Sequence, residues 1–361
     1  MNNLMKLEER MVFALRKLYH SYGYSQFKMR KFEPYDLYMQ NKEFLVSDGV
    51  ITFTDTDGTL MALKPDVTLS IVKNFRKENS SIQKVCYDEN VYRIAGAGRS
   101  YREITQTGLE CLGNIGIYEI GEVIALAVKS LCCISEHYVL DISHMGLVSQ
   151  LLKELSLTEE GTLQALQFLG EKNKDALICL LGTQKANKLL TLLDITGTIS
   201  EALPKLKKLI DCDAIAELET LASMLNVSKL SDNVHLDFSI ISDRNYYNDF
   251  VFRGYVQGIP SAVLAGGQYD RLMQKMNKDA GAIGFAVYLD QLELLESRSD
   301  SYDVDVVLLY DSNTDPVLLT KALNEYSENS IFLSKELPAR IKYRKVMKYT
   351  GGRFVDYETN R

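Results

Sequence analysis

The chain has 361 residues, 46% hydrophobic and 25% charged, with no tryptophan and a formal net charge of −7. That length exceeds one ordinary domain and supplies ample core. The acidic balance argues against a chain whose main work is gripping nucleic-acid phosphates, and no run approaches the roughly 20 apolar residues that span a bilayer.

Residues 1–10 carry acidic side chains early and lack an apolar stretch of signal-peptide length, so a cytoplasmic location is expected. Leu7, Met11, Leu15, Leu18 and Tyr19 recur at helical spacing until Gly23 stops them. A short helix is predicted from Pro34. Residues 51–63 read as two strands joined by an Asp57-Gly58 turn, a strong hairpin signal. Lys64-Pro65-Asp66-Val67-Thr68 then leads into helical spacing from Leu69 to Phe75. Asp66 and Thr68 therefore fit helix capping, and equally a carboxylate and hydroxyl presented to an amino group.

Lys84 to Tyr87 is strand-like, and Val91 to Glu110 reads as a hairpin with Arg93 on its first strand and Arg99 at its turn. The return strand alternates apolar residues with Glu103, Thr105, Gln106, Thr107 and Glu110. Guanidinium suits phosphate or carboxylate, while Gln106 and Glu110 suit an ammonium or imidazole. A site for an amphoteric small molecule and a surface hairpin with solvated arginines both fit this pattern.

A helix is predicted over 118–133 and a strand over 138–142. Residues 145–228 form Leu-rich amphipathic segments broken at Gly170, Gly182, Gly197 and Pro204, the texture of an inserted helical domain. Strand texture resumes at 234–238, continues from Tyr246 to Val256 and from Ser261 to Ala265, and returns at Ala282–Val287, followed by a helix over 289–296. Gly266-Gly267 brings backbone close to its neighbour. Adjacent strands with crossing helices predict a large, mostly antiparallel sheet. No GxGxxG or GxxxxGK[ST] occurs, which removes the usual nucleotide-loop arguments.

A charged break at 296–301 reads as a linker. Beyond it, strand 304–310, helix 315–327, strand 330–334 and a basic tail with Arg340, Lys342, Arg344, Lys345 and Lys348 make a small α/β unit. The tail suits a solvated face or subunit contact better than nucleic acid. The six cysteines form no CxxC pair and the four histidines show no ligand spacing. Buried free thiols and no metal or cofactor are expected.

The order of pieces carries a resemblance. Leu63-Lys64-Pro65-Asp66-Val67-Thr68, Tyr92-Arg93 through Gly98-Arg99-Ser100-Tyr101-Arg102-Glu103 to Gln106-Thr107-Gly108-Leu109-Glu110, Tyr246-Tyr247 and Val251-Phe252, Gly266-Gly267-Gln268-Tyr269-Asp270, and Gly284-Phe285-Ala286 together look like the catalytic core of histidyl-tRNA synthetase. The register is kept over residues 1 to about 296. The resemblance implies an α+β fold of class II aminoacyl-tRNA synthetase type, an antiparallel sheet flanked by helices and usually dimeric. The core would be 1–144 and 229–296, with a helical insertion at 145–228 and a small C-terminal α/β unit at 302–361.

The departures point to function. The family's closing motif, Gly-Phe-Ala-(apolar)-Gly-Leu-Glu-Arg-Leu, meets Gly284-Phe285-Ala286-Val287-Tyr288-Leu289-Asp290-Gln291-Leu292 here. Gln291 stands where an arginine would clamp ATP phosphate, and a neutral amide cannot supply that charge-assisted fork. A second arginine, four residues before the tyrosine pair, falls on Ser242, with Arg244 two residues out of register, and Arg30 replaces a proline of the first motif.

The amino-acid pocket implied by the resemblance is kept: Asp66, in place of a glutamate, with Thr68, Arg93, Gln106, Glu110, Tyr246 and Tyr247. With the short C-terminal unit replacing a full anticodon-binding domain, this pattern is similar to the regulatory subunit of ATP phosphoribosyltransferase, a synthetase paralogue. That family assembles with a short catalytic subunit in the first step of histidine biosynthesis. The resemblance implies a chain with no catalysis of its own, histidine as ligand for feedback control, and a homodimer inside a hetero-octamer. Asp66, Glu110 and Gln106 would hold the ammonium and imidazole, the tyrosine pair would wall the ring, and Arg93 would meet the carboxylate. A diverged histidine-tRNA ligase or another class II paralogue is the alternative.

Overall fold

The computed structural model describes residues 5–45, 49–76, 82–95, 100–241, 247–296, 302–326 and 329–357. Arg99, Ser242, Arg244, Tyr246 and the linker residues 297–301 lie outside them. The chain divides into two compact units, Met1–Leu294 and Leu295–Arg361.

The first unit opens with helix α1 (Leu7–Ser21), whose start is closed by the Glu9 carboxylate accepting from the Lys6 backbone N–H at 3.0 Å. Strands β1 (Ser25–Gln26) and β2 (Phe32–Pro34) follow, then helix α2 (Tyr35–Met39). The expected hairpin forms from β3 (Thr52–Thr54) and β4 (Leu60–Leu63), and Gly58 at its turn has φ +89°, the left-handed region a glycine tolerates. Helix α3 (Thr68–Asn74) leads to two long strands, β5 (Gln83–Ala95) and β6 (Ser100–Gly113), paired along their full length. The separate strand expected at 84–87 is thus the first part of β5. Helix α4 (Ile117–Ile134) and strand β7 (Tyr138–His144) come next.

Six helices follow: α5 (Met145–Glu154), α6 (Glu159–Gly170), α7 (Lys174–Leu181), α8 (Thr183–Asp194), α9 (Ile199–Leu209) and α10 (Asp213–Val227). Chain breaks do fall at Gly170, Gly182 and Gly197, but Pro204 lies inside α9. Its missing N–H removes one bond of the helix, while buried Ile199, Ala202, Leu203 and Leu206 hold both sides of the proline against the core.

The remaining strands are β8 (Val234–Leu236), β9 (Phe250–Val256), β10 (Leu264–Gln268) and β11 (Gly281–Tyr288), with helix α11 (Asp270–Lys275) between the last two. Residues 289–296, expected as one helix, are a 3-10 turn at Leu289–Leu292 followed by α12 (Glu293–Glu296). The large sheet has the order β1-β5-β6-β11-β10-β9-β7-β8. Its five inner pairings are antiparallel and the outermost pairing at each end is parallel.

Helices α1 and α4 close one face of this sheet. Leu126, Ala127 and Leu131 of α4 are fully buried, and the Tyr19 and Ser130 hydroxyls join the two helices at 3.1 Å. The other face is left for chemistry. Residues opposite one another share a face of the sheet, so Glu110, Gly284, Gly267 and Val251 form one row, with Gly108, Ala286, Ala265 and Arg253 in the next.

The second unit is a four-stranded sheet ordered β13 (Ile331–Ser334), β12 (Val304–Leu309), β14 (Tyr343–Thr350), β15 (Arg353–Asp356), with helix α13 (Pro316–Leu323). The Asp315 side chain caps α13, accepting from Val317 N–H at 2.7 Å. Val306, Leu308, Leu319, Ala322 and Phe354 make its core. The expected basic tail is largely strand β14: Val346 is buried, exposed Lys345 pairs with Asp356, and half-buried Lys348 pairs with Asp311. Charged residues at its outward positions hid the strand pattern.

All six cysteines are free, but only Cys86 and Cys111 are buried. Cys132, Cys133 and Cys179 are exposed on the outer sides of α4 and α7, which corrects the expectation of buried thiols. Among the described residues no helix is long and apolar enough to cross a membrane.

Candidate functional site

The first turn of α3 delivers two polar side chains to the open face of the sheet. The Asp66 carboxylate accepts from the Leu69 N–H at 2.8 Å and so caps the helix. Thr68 points its hydroxyl elsewhere, donating to Glu110 Oε1 at 2.8 Å. The capping reading of Asp66 is borne out, and the same carboxylate also lines a cavity.

Strand β6 supplies the centre. Gln106, Gly108 and Glu110 alternate onto one face, and Glu110 is buried between Thr68 and Tyr269, whose hydroxyl donates to Oε2 at 2.6 Å. Burial pushes the Glu110 carboxyl up to about 8; the two hydroxyl donors oppose that rise, and the neighbouring Asp66 charge adds to it. Burial also raises Asp66, with the Leu69 N–H and the Arg93 charge acting the other way. Two carboxyl groups thus share a dry site. Such an arrangement favours a proton or a cationic ligand between them.

Gln106 adds a further demand. Its Nε2 is buried and has no hydrogen-bond partner among the described residues, and an unpaired buried donor costs about 1–3 kcal/mol. Arg93 reaches in from β5, with its Nε donating to the Pro65 carbonyl at 2.9 Å. Its remaining N–H groups sit on a guanidinium suited to a planar anion.

Asp66, Thr68, Arg93, Gln106, Glu110 and Tyr247 therefore line one cavity of about 40 Å³. That is room for two or three waters, so an amino acid enters only as side chains give way. Tyr246 lies outside the described residues. Sequence reasoning missed three further rings in the lining: Tyr87, Tyr269 and Tyr288. Tyr269 was within reach, because it sits in the quoted Gly266–Asp270 stretch, and Tyr288 occupies a glycine position of the closing motif. Tyr87 carried no signal beyond an ordinary strand residue.

Small residues make the floor, for steric reasons. A Cβ on Gly284 would stand 1.7 Å from Glu110 Oε2 and 2.5 Å from the Leu109 carbonyl. On Gly267 it would stand 2.5 Å from the Tyr247 ring. These glycines let the carboxylate and the ring lie flat on the sheet.

Gln291 is held away from this lining, its Oε1 accepting from the Ser261 hydroxyl at 2.8 Å and its Nε2 donating to Asp290 at 3.2 Å. Arg253, exposed on β9 beside Ala265, is a guanidinium on the site face whose charge reaches Tyr247 and Tyr288. Among the described residues no cluster of three or more His, Cys, Asp or Glu side chains is arranged to hold a metal ion.

The family model for histidyl-tRNA synthetase matches residues 3–292. The chain belongs to the histidyl-tRNA synthetase family. A relative from Oceanobacillus iheyensis named ATP phosphoribosyltransferase regulatory subunit is 26% identical over 350 residues, 92% of this chain and 86% of that protein. A solved structure from Bacillus halodurans, described as an ATP phosphoribosyltransferase regulatory subunit/histidyl-tRNA synthetase, superposes with a TM-score of 0.74 at 23% identity, covering 94% of this chain and 93% of the other. A chain of an ATP phosphoribosyl transferase (HisG:HisZ) complex from Thermotoga maritima gives 0.63 at 21% identity, covering 79% and 98%. These solved structures share the fold of the chain.

Proposed function

We propose that this chain is the regulatory subunit of an ATP phosphoribosyltransferase, without catalysis of its own, and that it binds histidine in the pocket around Glu110. The observation that carries this reading is a contrast within one sheet face. Asp66, Thr68, Arg93, Gln106 and Glu110 converge on one cavity, while the neutral Gln291 amide is occupied by Ser261 and Asp290. The shared name of the relatives supports the same assignment.

In the bound state the α-ammonium sits between Asp66 and Gln106, and the imidazole N–H donates to Glu110. The α-carboxylate takes N–H groups of Arg93 other than the Nε–H held by Pro65, and Tyr246 joins Tyr247 beside the ring. A cation arriving between the two carboxyl groups favours loss of the proton that Glu110 holds in the empty pocket. Residues 145–228 form an inserted helical domain in a core of 1–144 and 229–296, with 302–361 as the small C-terminal unit. The chain works in the cytoplasm as a homodimer within a hetero-octamer that includes the short catalytic subunit. Feedback follows if histidine binds two states of that assembly unequally, a coupling typically worth about 1–3 kcal/mol.

Co-purification with the short catalytic subunit tests the proposal. Transferase activity should appear only in the complex and fall when histidine is added. Histidine-dependent pyrophosphate exchange by the chain alone would instead establish the ligase alternative.

A further inference from the structure

Arg253 is a charge on the open face of the sheet that the ligand contacts above leave unused. Its place is fixed by strand register: on β9 it stands opposite Ala265 of β10, which in turn stands opposite Ala286 of β11. Both alanines line the cavity. Paired residues share a face, and two methyl groups raise no wall between the cavity and β9. A side chain as long as arginine can arch over Ala265 to a ligand there.

On its other side Arg253 stands opposite Asp141 of β7, a carboxylate placed for a cross-strand ion pair. That pair is not made. Among the described residues the Arg253 guanidinium has no hydrogen bond or ion pair. Burial raises the Asp141 carboxyl, and the charges it feels are those of Asp237, His235 and Lys172. The charge of Arg253 is felt instead by Tyr247 and Tyr288, two rings of the cavity wall. The guanidinium is thus turned from the carboxylate toward the pocket.

Tyr288 also feels Arg93, so two guanidiniums approach one space, from β5 and from β9. Of the carboxyl groups acting on the same ring, Asp66 caps α3 and Asp290 accepts from Gln291. Two like charges converging on one cavity favour an anion between them.

We propose that Arg253 is a specificity-determining residue of the histidine pocket: it meets the ligand's carboxylate from the side opposite Arg93, so that the site selects a free amino acid over a relative lacking that group. This inference rests on the histidine reading above and adds the residue that grades its ligands. Arg93 keeps its Nε–H on the Pro65 carbonyl and offers its remaining donors to one edge of the carboxylate. Arg253 takes the other edge. Because Arg253 is exposed in the empty protein, its charge leaves water only as the anion arrives, when pairing offsets the desolvation.

Calorimetry with histidine and with histidinol, which carries an alcohol in place of the carboxylate, tests the assignment. The natural chain should bind histidine more tightly. Arg253→Gln should weaken histidine about tenfold and leave histidinol within about twofold, with an unchanged thermal melt because the guanidinium supports no pair in the empty fold. Arg253→Lys keeps the charge but not the planar fork, and should recover part of the histidine loss. An unchanged histidine affinity in Arg253→Gln overturns the proposal, and so does an equal loss for both ligands, which would mean that Arg253 only shapes the pocket. Equal binding of the two ligands by the natural chain also overturns it and leaves the Glu110 pocket standing. If the natural chain binds neither ligand, the histidine reading falls and this inference with it.

Discussion

Glu110 concentrates the electrostatic cost of the empty pocket. It keeps its proton in the fold to about pH 8, whereas the unfolded chain releases it near the ordinary glutamate value of 4.5. Between those limits the native state binds more protons, so stability falls as pH rises; the contribution is full below 4.5 and lost on passing 8. Its size is on the order of 5 kcal/mol. Glu110→Gln has no proton to give up, so its urea-melt stability should gain on the natural protein between pH 5 and pH 8.5. Parallel pH curves would contradict the assignment. Of this site, the acid, amide and hydroxyl groups were legible in the sequence, because their chemistry needs no partner to be named. Tyr87 was not assigned to it, since an aromatic residue in a strand joins core or pocket according to sheet register.

Strands β6 and β11 approach so closely that the site has no spare volume between them. Gly284→Ala would drive a methyl group into Glu110 Oε2 and the Leu109 carbonyl, and backbone cannot yield as a flexible side chain does. The variant should fold less stably by about 1–3 kcal/mol and lose detectable histidine binding in calorimetry; binding at the natural affinity would show that Glu110 does not contact the ligand. A second weak point is Lys64, 1% exposed at the end of β4 and paired with Glu89 of β5. Lys64→Met leaves Glu89 partly buried without its cation, and chemical denaturation should register a loss of about 3 kcal/mol. The hairpin at Asp57-Gly58 and helices such as α1 were readable because local periodicity and turn chemistry set them. The strand in residues 343–350 was not, since its outward lysines and arginines broke the apolar alternation. Pro204 misled for the converse reason: a local breaker was overridden by tertiary packing.

The pocket joins residues from Asp66 to Tyr288, yet the large sheet places β11 beside β6 and β7 beside β9, an order that strand spacing alone does not reveal. The resemblance in motif order supplied what periodicity lacked. The two units have unequal resources. Residues 1–294 enclose the large sheet and its helices, while residues 295–361 build a sheet and one helix from a chain near the lower size limit for independent stability. Calorimetry of the full chain should therefore resolve two transitions, the smaller unit melting first with the lower enthalpy. All the pocket residues belong to the first unit. Histidine at 100 times its dissociation constant adds about 2.7 kcal/mol to whichever unit binds it. It should raise the larger transition and leave the smaller one in place. A ligand that shifts only the smaller transition would put the histidine site on the C-terminal unit and remove the cavity around Glu110 from the mechanism.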